Sequence, residues 1–123
     1  MQSLEGQKLI YKLQNELQDK GLVVESTISD LKALRALMLE EKDPFLTKML
    51  RLMYQHLEAH NGFFVPIPSD DVDSEEEGGE EKEEPTIGVE SLLFLLELIT
   101  DSKNRHNRAD LQAYMDSLQE YNG

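Results

Sequence analysis

Apolar side chains recur at intervals of three and four residues along most of this chain, a spacing that places them on one face of an α-helix. The first such stripe contains Leu9, Ile10, Leu13 and Leu17, and Gly21 follows it. This pattern predicts a helix that begins near Ser3 and ends shortly before the glycine,. Four further segments carry the same periodicity, and none alternates convincingly with a period of two.

The third helical segment has the clearest boundaries. Asp43 followed by Pro44 is typical of an N-cap and a first helical position, and Asn61-Gly62 is typical of a left-handed helix end,. The sequence therefore predicts a helix between these two signals.

Start signals also place the other three helices. The second is predicted to begin near Thr27 or Ser29, the fourth after Gly88 and the fifth after Asn107,. The fourth segment is apolar nearly all round, so we expect it to be the central helix of the fold. The fifth has a narrower stripe, which suits a peripheral helix or a contact with a partner.

Together these segments predict an all-α protein, a four- or five-helix bundle with a long disordered acidic loop between the third and fourth helices. We expect residues 1–123 to form a single helical domain that is interrupted at about 66–86 by this flexible insert,. The insert leaves the topology open, since it permits either a hairpin or a crossover.

Charge is distributed very unevenly. The chain carries 25 acidic and 12 basic residues, a net charge of −13, and residues 70–84 hold ten carboxylates against one lysine. Self-repulsion in that segment favours disorder. The negative charge repels nucleic acid and favours a basic protein partner, so we expect no nucleic-acid ligand.

Two absences narrow the function classes. The chain has no cysteine, which excludes disulfides, thiolate metal sites and cysteine nucleophiles. No apolar run reaches the roughly 18 residues that a membrane span needs, and no signal-peptide pattern is apparent. We therefore expect a cytoplasmic protein with no membrane association.

An apolar extended segment, Phe63-Phe64-Val65-Pro66-Ile67-Pro68, follows the third helix. Its prolines disfavour helix and sheet, which leaves it free to serve as a docking strip. The predicted contact surface combines this strip with the outer face of the fifth helix and with steering carboxylates of the insert. The predicted partner-binding residues are Phe63, Phe64, Glu75, Glu76, Glu77, Glu80 and Glu81.

His56 and His60 are four residues apart, so both lie on one face of the third helix, within its apolar arc,. Two such imidazoles are a weak candidate for a metal site. Leu57, however, occupies the position directly after the first histidine, where the zincin pattern requires glutamate, and His106 is the only other histidine,. We therefore predict no metal site and no cofactor.

Two basic features remain. Arg35 lies within the apolar arc of the second helix, where it either extends towards solvent or pairs with a carboxylate,. The cluster at 103–108 is predicted to be a loop that follows the fourth helix, where the helix dipole favours cations,.

These observations favour a non-enzymatic protein-interaction or regulatory module, because no phosphate-binding loop, nucleophile elbow or catalytic triad is recognisable. A small acidic inhibitor of the immunity, antitoxin or nucleic-acid-mimic type is the alternative. A metal-dependent enzyme that uses His56 and His60 is the third hypothesis. Apolar surface on the last two helices also makes a homo-oligomer plausible.

Overall fold

Five helices form the part of the protein described by the computed structural model, residues 4–68 and 87–122. They are α1 (Leu4–Lys20), α2 (Val24–Glu40), α3 (Pro44–His60), α4 (Val89–Thr100) and α5 (Arg105–Asn122). No strand occurs within these two ranges. The prediction of an all-α bundle of four or five helices is confirmed, and the number is five.

The predicted boundaries of α3 are confirmed by its caps. The Asp43 carboxylate accepts a hydrogen bond from the N–H of Leu46 at 3.1 Å, and Pro44 occupies the first turn. Asn61 ends the helix in the left-handed conformation, with φ 55° and ψ 36°. α4 begins at Val89, directly after Gly88, as the sequence predicts.

Helices α2 and α5 begin earlier than predicted. α2 starts at Val24, and Thr27 is buried inside its first turns rather than serving as a cap. α5 starts at Arg105 because the side-chain oxygen of Asn104 accepts from the N–H groups of His106 and Asn107, at 2.9 and 3.3 Å. Asn104, and not Asn107, therefore caps α5.

The earlier start of α5 changes the interpretation of the basic cluster. Arg105, His106 and Arg108 lie in the first turns of α5, where the helix dipole disfavours cations,. The predicted dipole benefit at the end of α4 is therefore wrong for these three residues. The guanidinium carbon of Arg108 instead lies 4.2 Å from the centre of the Phe45 ring, a cation–π contact,.

The helices pack in a closed ring in which each has two principal neighbours. The order around the ring is α1, α2, α3, α5, α4 and back to α1. α4 is thus one member of the ring and not its centre, and Phe94 on its outer side is 37% exposed. The principal contacts place α5 between α3 and α4. Helices α3 and α4 therefore do not form a simple hairpin, although they are consecutive in the chain.

Polar contacts join α1 to both of its neighbours. Lys12 Nζ lies 2.8 Å from the carboxylate of Asp30 on α2, and this hydrogen bond raises the pKa of Lys12. Gln14 Nε2 donates to Glu97 on α4 at 3.1 Å. Among the described helices, none has the length and apolar character needed to span a bilayer.

Candidate functional site

The turn after α3 places an aromatic side chain against the end of the helix. The N–H of Asn61 donates to the carbonyl of Leu57 at 2.8 Å, and this closes the helix. At the next position, Gly62, a Cβ atom would lie 2.9 Å from the Phe64 ring. Only glycine therefore lets this ring pack so closely over the turn.

His56 holds the backbone of Phe64. Its side chain is fully buried, and its Nε2 accepts a hydrogen bond from the N–H of Phe64 at 3.0 Å. A ring nitrogen that accepts from an amide carries no proton, which assigns the neutral ring with its proton on Nδ1. The imidazole thereby orients the segment that follows α3.

Three exposed rings surround this buried imidazole, and we call them the aromatic surface: His60, Phe64 and Tyr121. The His60 ring centre lies 6.4 Å from that of Phe64 and 5.6 Å from that of Tyr121. Phe64 is 40% exposed and Tyr121 is 47% exposed. The fold thus brings the end of α3, the following segment and the end of α5 together at one place.

Phe63, which the sequence predicted as a contact residue, lies beneath this surface. Its side chain is 1% exposed, and its ring centre lies 5.4 Å from that of His56 in an edge-on arrangement. Its carbonyl accepts from the N–H of Gly88 at 2.9 Å, which joins the two ends of the α3–α4 connection. Phe63 therefore supports the surface and is not free to touch a partner.

A buried polar cluster fixes the rest of the segment. Ser91 Oγ donates to the carbonyl of Val65 at 2.7 Å, and the Tyr114 hydroxyl donates to the carbonyl of Ser91 at 2.9 Å. The two hydroxyl oxygens are 3.1 Å apart. Residues of α4 and α5 thus anchor the backbone that carries Phe64.

Tyr114 is an uncharged member of this cluster. Burial raises the pKa of its hydroxyl to about 12, although the contact with Ser91 opposes the rise and Asp110 adds to it. The phenol therefore keeps its proton throughout the physiological pH range and serves as a structural donor.

The five glutamates predicted to contact a partner, Glu75, Glu76, Glu77, Glu80 and Glu81, lie outside the described residues. Their role stays a prediction. The other two parts of the predicted surface, the strip after α3 and the fifth helix, lie within the described residues.

The two histidines do not form part of a larger ligand set in the described ranges. The rings of His56 and His60 are 4.7 Å apart between centres, but no group of three histidine or acidic side chains there could hold a metal ion. The Nε2 lone pair of His56 already accepts from Phe64. Metal binding by this nitrogen would require that hydrogen bond to break.

Tyr121 is the member of the aromatic surface that sequence reasoning did not pair with Phe64. It belongs to the apolar stripe of the last helix, which is the only signal that the sequence offers for it. The ring contacts join residues that are far apart in the chain, so the helical period alone could not connect them.

A scan against protein-family models matched none of them, and searches of curated proteins and of solved structures returned no match.

Proposed function

We propose that this protein is a non-enzymatic interaction module that binds a basic partner protein. The aromatic surface makes the contact, and the carboxylates of 70–84 steer the partner towards it. Residues His60, Phe64 and Tyr121 are the contact residues of this proposal.

The observation that carries the proposal is the cluster of exposed rings on a rigid base. Phe64 and Tyr121 both keep more than a third of their surface in water although each packs against the imidazoles. Aromatic rings lose little conformational entropy on binding and dominate the energy of many interfaces. Hydrogen bonds to His56 and Ser91 hold the supporting backbone in place before any partner arrives.

Charge indicates the chemistry of the partner. The ten carboxylates of 70–84 begin six residues after Phe64 in the chain. Clustered charge raises the rate at which an oppositely charged protein arrives. Arginine and lysine side chains also stack favourably on the faces of phenylalanine and tyrosine. A partner that presents basic side chains around an apolar strip suits both features.

The contact surface can be tested with two matched serine variants. Phe64→Ser removes an exposed ring from the aromatic surface, whereas Phe94→Ser removes a similarly exposed ring from α4. Each variant is immobilised beside the wild-type protein, and the proteins retained from native cells are identified, purified and titrated back. We expect a basic protein that binds the wild type and Phe94→Ser but binds Phe64→Ser at least about tenfold more weakly. Equal affinity for all three would overturn the proposal.

The steering role needs a separate variant. Replacing the ten carboxylates of 70–84 by their amides changes the net charge from −13 to −3 and keeps the length. We expect association with the identified partner to slow by about tenfold at low salt, with dissociation nearly unchanged. An acidic inhibitor would instead lose most of its affinity because its carboxylates make the contact. An unchanged association rate would remove the steering role.

A cytoplasmic location and self-association remain part of the proposal. Size-exclusion chromatography with light scattering tests self-association directly, since a dimer has twice the mass of the 14.1 kDa chain.

A further inference from the structure

A cleft of about 530 Å³ lies between the second half of α2 and the first half of α3. Four basic side chains line it, Arg35, Lys42, Lys48 and Arg51, together with one acidic side chain, Asp43. The lining thus carries a net charge of +3 (four positive, one negative), although the whole chain carries −13. The sign of the charge in this cleft is therefore opposite to that of the whole protein.

The α2–α3 hairpin brings these cations together. Lys42 lies in the short connection with φ 60°, and Asp43 caps the following helix. Lys48 and Arg51 are three residues apart on α3 and so share one side of that helix. Arg35 lies on the second half of α2, which runs beside α3.

None of the four cations forms an ion pair within the described parts of the chain, where the ion pairs involve Lys12 and Lys32. The Nε atoms of Arg35 and Arg51 are shielded from water and have no acceptor there. Because water cannot reach these two atoms, a ligand in the cleft cannot reach them either, and they are not its binding donors. The terminal nitrogens of each guanidinium group carry four further N–H donors, and the charge of both arginines is uncompensated by an ion pair in those parts of the chain.

The lining provides no acceptor of comparable charge. The Asp43 carboxylate already accepts from the N–H of Leu46 as the cap of α3. Glu40 and Glu41 directly precede Lys42 in the chain, but neither lines the cleft. The four cations of the lining therefore exceed its single negative charge by three.

The cleft is separate from the aromatic surface. Pro44, at the start of α3, lines the cleft, and His60 ends the same helix. Seventeen residues at about 1.5 Å each place these ends roughly 25 Å apart,. The two sites can therefore be tested independently.

We propose that this cleft binds a small molecule that carries phosphate. Its volume lies within the range of about 300–1,000 Å³ that is typical of small-molecule sites. The planar guanidinium group matches the oxygens of a phosphate through paired hydrogen bonds, and lysines add charge without a fixed geometry. Leu39 and Pro44 supply apolar surface for the organic part of the ligand.

A multiply charged phosphate fits the lining better than a single carboxylate does. The net charge of the lining exceeds what one carboxylate can neutralise, and two guanidinium groups can each offer two donors to one cluster of oxygens. Phosphate chemistry is therefore the class to which the proposal commits, and carboxylate binding becomes an outcome of the test.

The probe is inorganic pyrophosphate, titrated calorimetrically into the full chain at constant ionic strength, with citrate as a carboxylate of similar charge. We expect saturable one-to-one binding of pyrophosphate with a Kd below about 1 mM. The variant Arg35→Gln/Arg51→Gln should weaken it at least about tenfold. Lys103→Gln/Arg105→Gln removes the same charge from exposed positions elsewhere and should leave the Kd within about twofold,.

A second cleft variant keeps the proposal testable if the double arginine variant fails to fold. Lys42 and Lys48 are exposed, so Lys42→Gln/Lys48→Gln should keep the helical circular dichroism spectrum and weaken pyrophosphate binding by about threefold or more. Absence of saturable pyrophosphate binding would overturn the proposal. Equal loss in the cleft and control variants, or tighter binding of citrate than of pyrophosphate, would overturn it too.

Discussion

Two buried side chains support the segment that carries Phe64, His56 directly and Tyr114 through Ser91 on α4, and each does so in its uncharged form. His56 accepts from a backbone N–H, and Tyr114 donates to a backbone carbonyl. A proton added to the first nitrogen would put two donors face to face. A proton removed from the phenol would leave two acceptors in contact. The hydrogen bonds that support Phe64 thus come from two uncharged side chains in the interior.

His56→Leu should lower the free energy of unfolding by about 1–3 kcal/mol, because the N–H of Phe64 loses its acceptor in a partly buried place,. His60→Leu is the control, since His60 is exposed and should change stability by less than about 0.5 kcal/mol,. Urea denaturation followed by circular dichroism measures both. Equal losses would contradict the role assigned to His56.

Tyr114 should make the protein sensitive to alkali. Its pKa rises from 10.0 to about 12 on folding, so the unfolded chain releases the phenol proton first as the pH increases. The contribution of Tyr114 to the free energy of unfolding is therefore fully present below pH 10 and is lost between about pH 10 and pH 12. At pH 11 the loss is about 1.4 kcal/mol.

Urea denaturation at about pH 9 and about pH 11 measures this loss. Tyr114→Phe serves as the control because it removes the titrating group and keeps the ring. The variant should be about 1 kcal/mol less stable than the wild type at pH 9. Its further loss on going to pH 11 should be smaller by about 1.4 kcal/mol, and an identical loss would refute the role of Tyr114.

At the scale of elements, the caps show which signals set a helix boundary. Asp43 and Asn61 combine a cap residue with a supporting neighbour, Pro44 or Gly62, and the predicted boundaries match the structure. The start of α5 offered two asparagines, Asn104 and Asn107, and the earlier one captures the free N–H groups. Both are suitable cap residues, so only the hydrogen bonds in the structure distinguish them,.

Asn104→Ala should lower the free energy of unfolding by about 1 kcal/mol, because two N–H groups at the start of α5 lose their acceptor,. Asn104→Asp is the matched variant, and it should be at least as stable as the wild type. Its carboxylate keeps the cap and offsets the positive charges in the first turns of α5. Thermal unfolding of the two variants measures the difference, and similar losses in both would exclude Asn104 as the cap.

At the scale of the molecule, the closed ring makes each helix depend on two others. α1 closes the ring because it packs on α4 as well as on α2. Helices α1 and α4 are far apart in the chain. Core side chains from all five helices form one buried cluster. Loss of one side chain in this cluster should therefore weaken the whole bundle and not a single helix.

Leu13→Ala tests this cooperativity, since Leu13 is fully buried on α1. We expect a loss of about 2–5 kcal/mol, with the helical signal and tyrosine fluorescence changing in a single, coincident transition. Tyr11→Ala, at an exposed position on the same helix, should change stability by less than about 1 kcal/mol,. Separate transitions for the two signals would show that α1 unfolds independently.

Much of the fold follows from the sequence because helices depend on contacts between residues three or four apart. The apolar stripe of α1 correctly predicts the burial of Ile10, Leu13 and Leu17. The same reasoning placed His56 and His60 together in the apolar arc of α3. Only His56 is buried, since the chain that returns over the end of α3 covers one ring and leaves the other exposed.

The two candidate sites were less accessible to sequence reasoning. Arg35 stood out as a charge within an apolar arc, but Lys42, Lys48 and Arg51 look like ordinary surface cations until the α2–α3 hairpin brings them together. Phe64 stood out as an apolar residue in an extended strip, but nothing local connects it with Tyr121. Each site joins side chains whose neighbours are set by packing.

Short-range sequence patterns thus determined the number of helices, their type and most of their ends, because each such signal acts within a few residues of its own position. The ring order, the burial of Phe63 beneath Phe64 and the gathering of cations between α2 and α3 depended on packing of the whole chain. Those arrangements follow from minimising exposed apolar surface across five helices at once, and no single stretch of residues contains that balance.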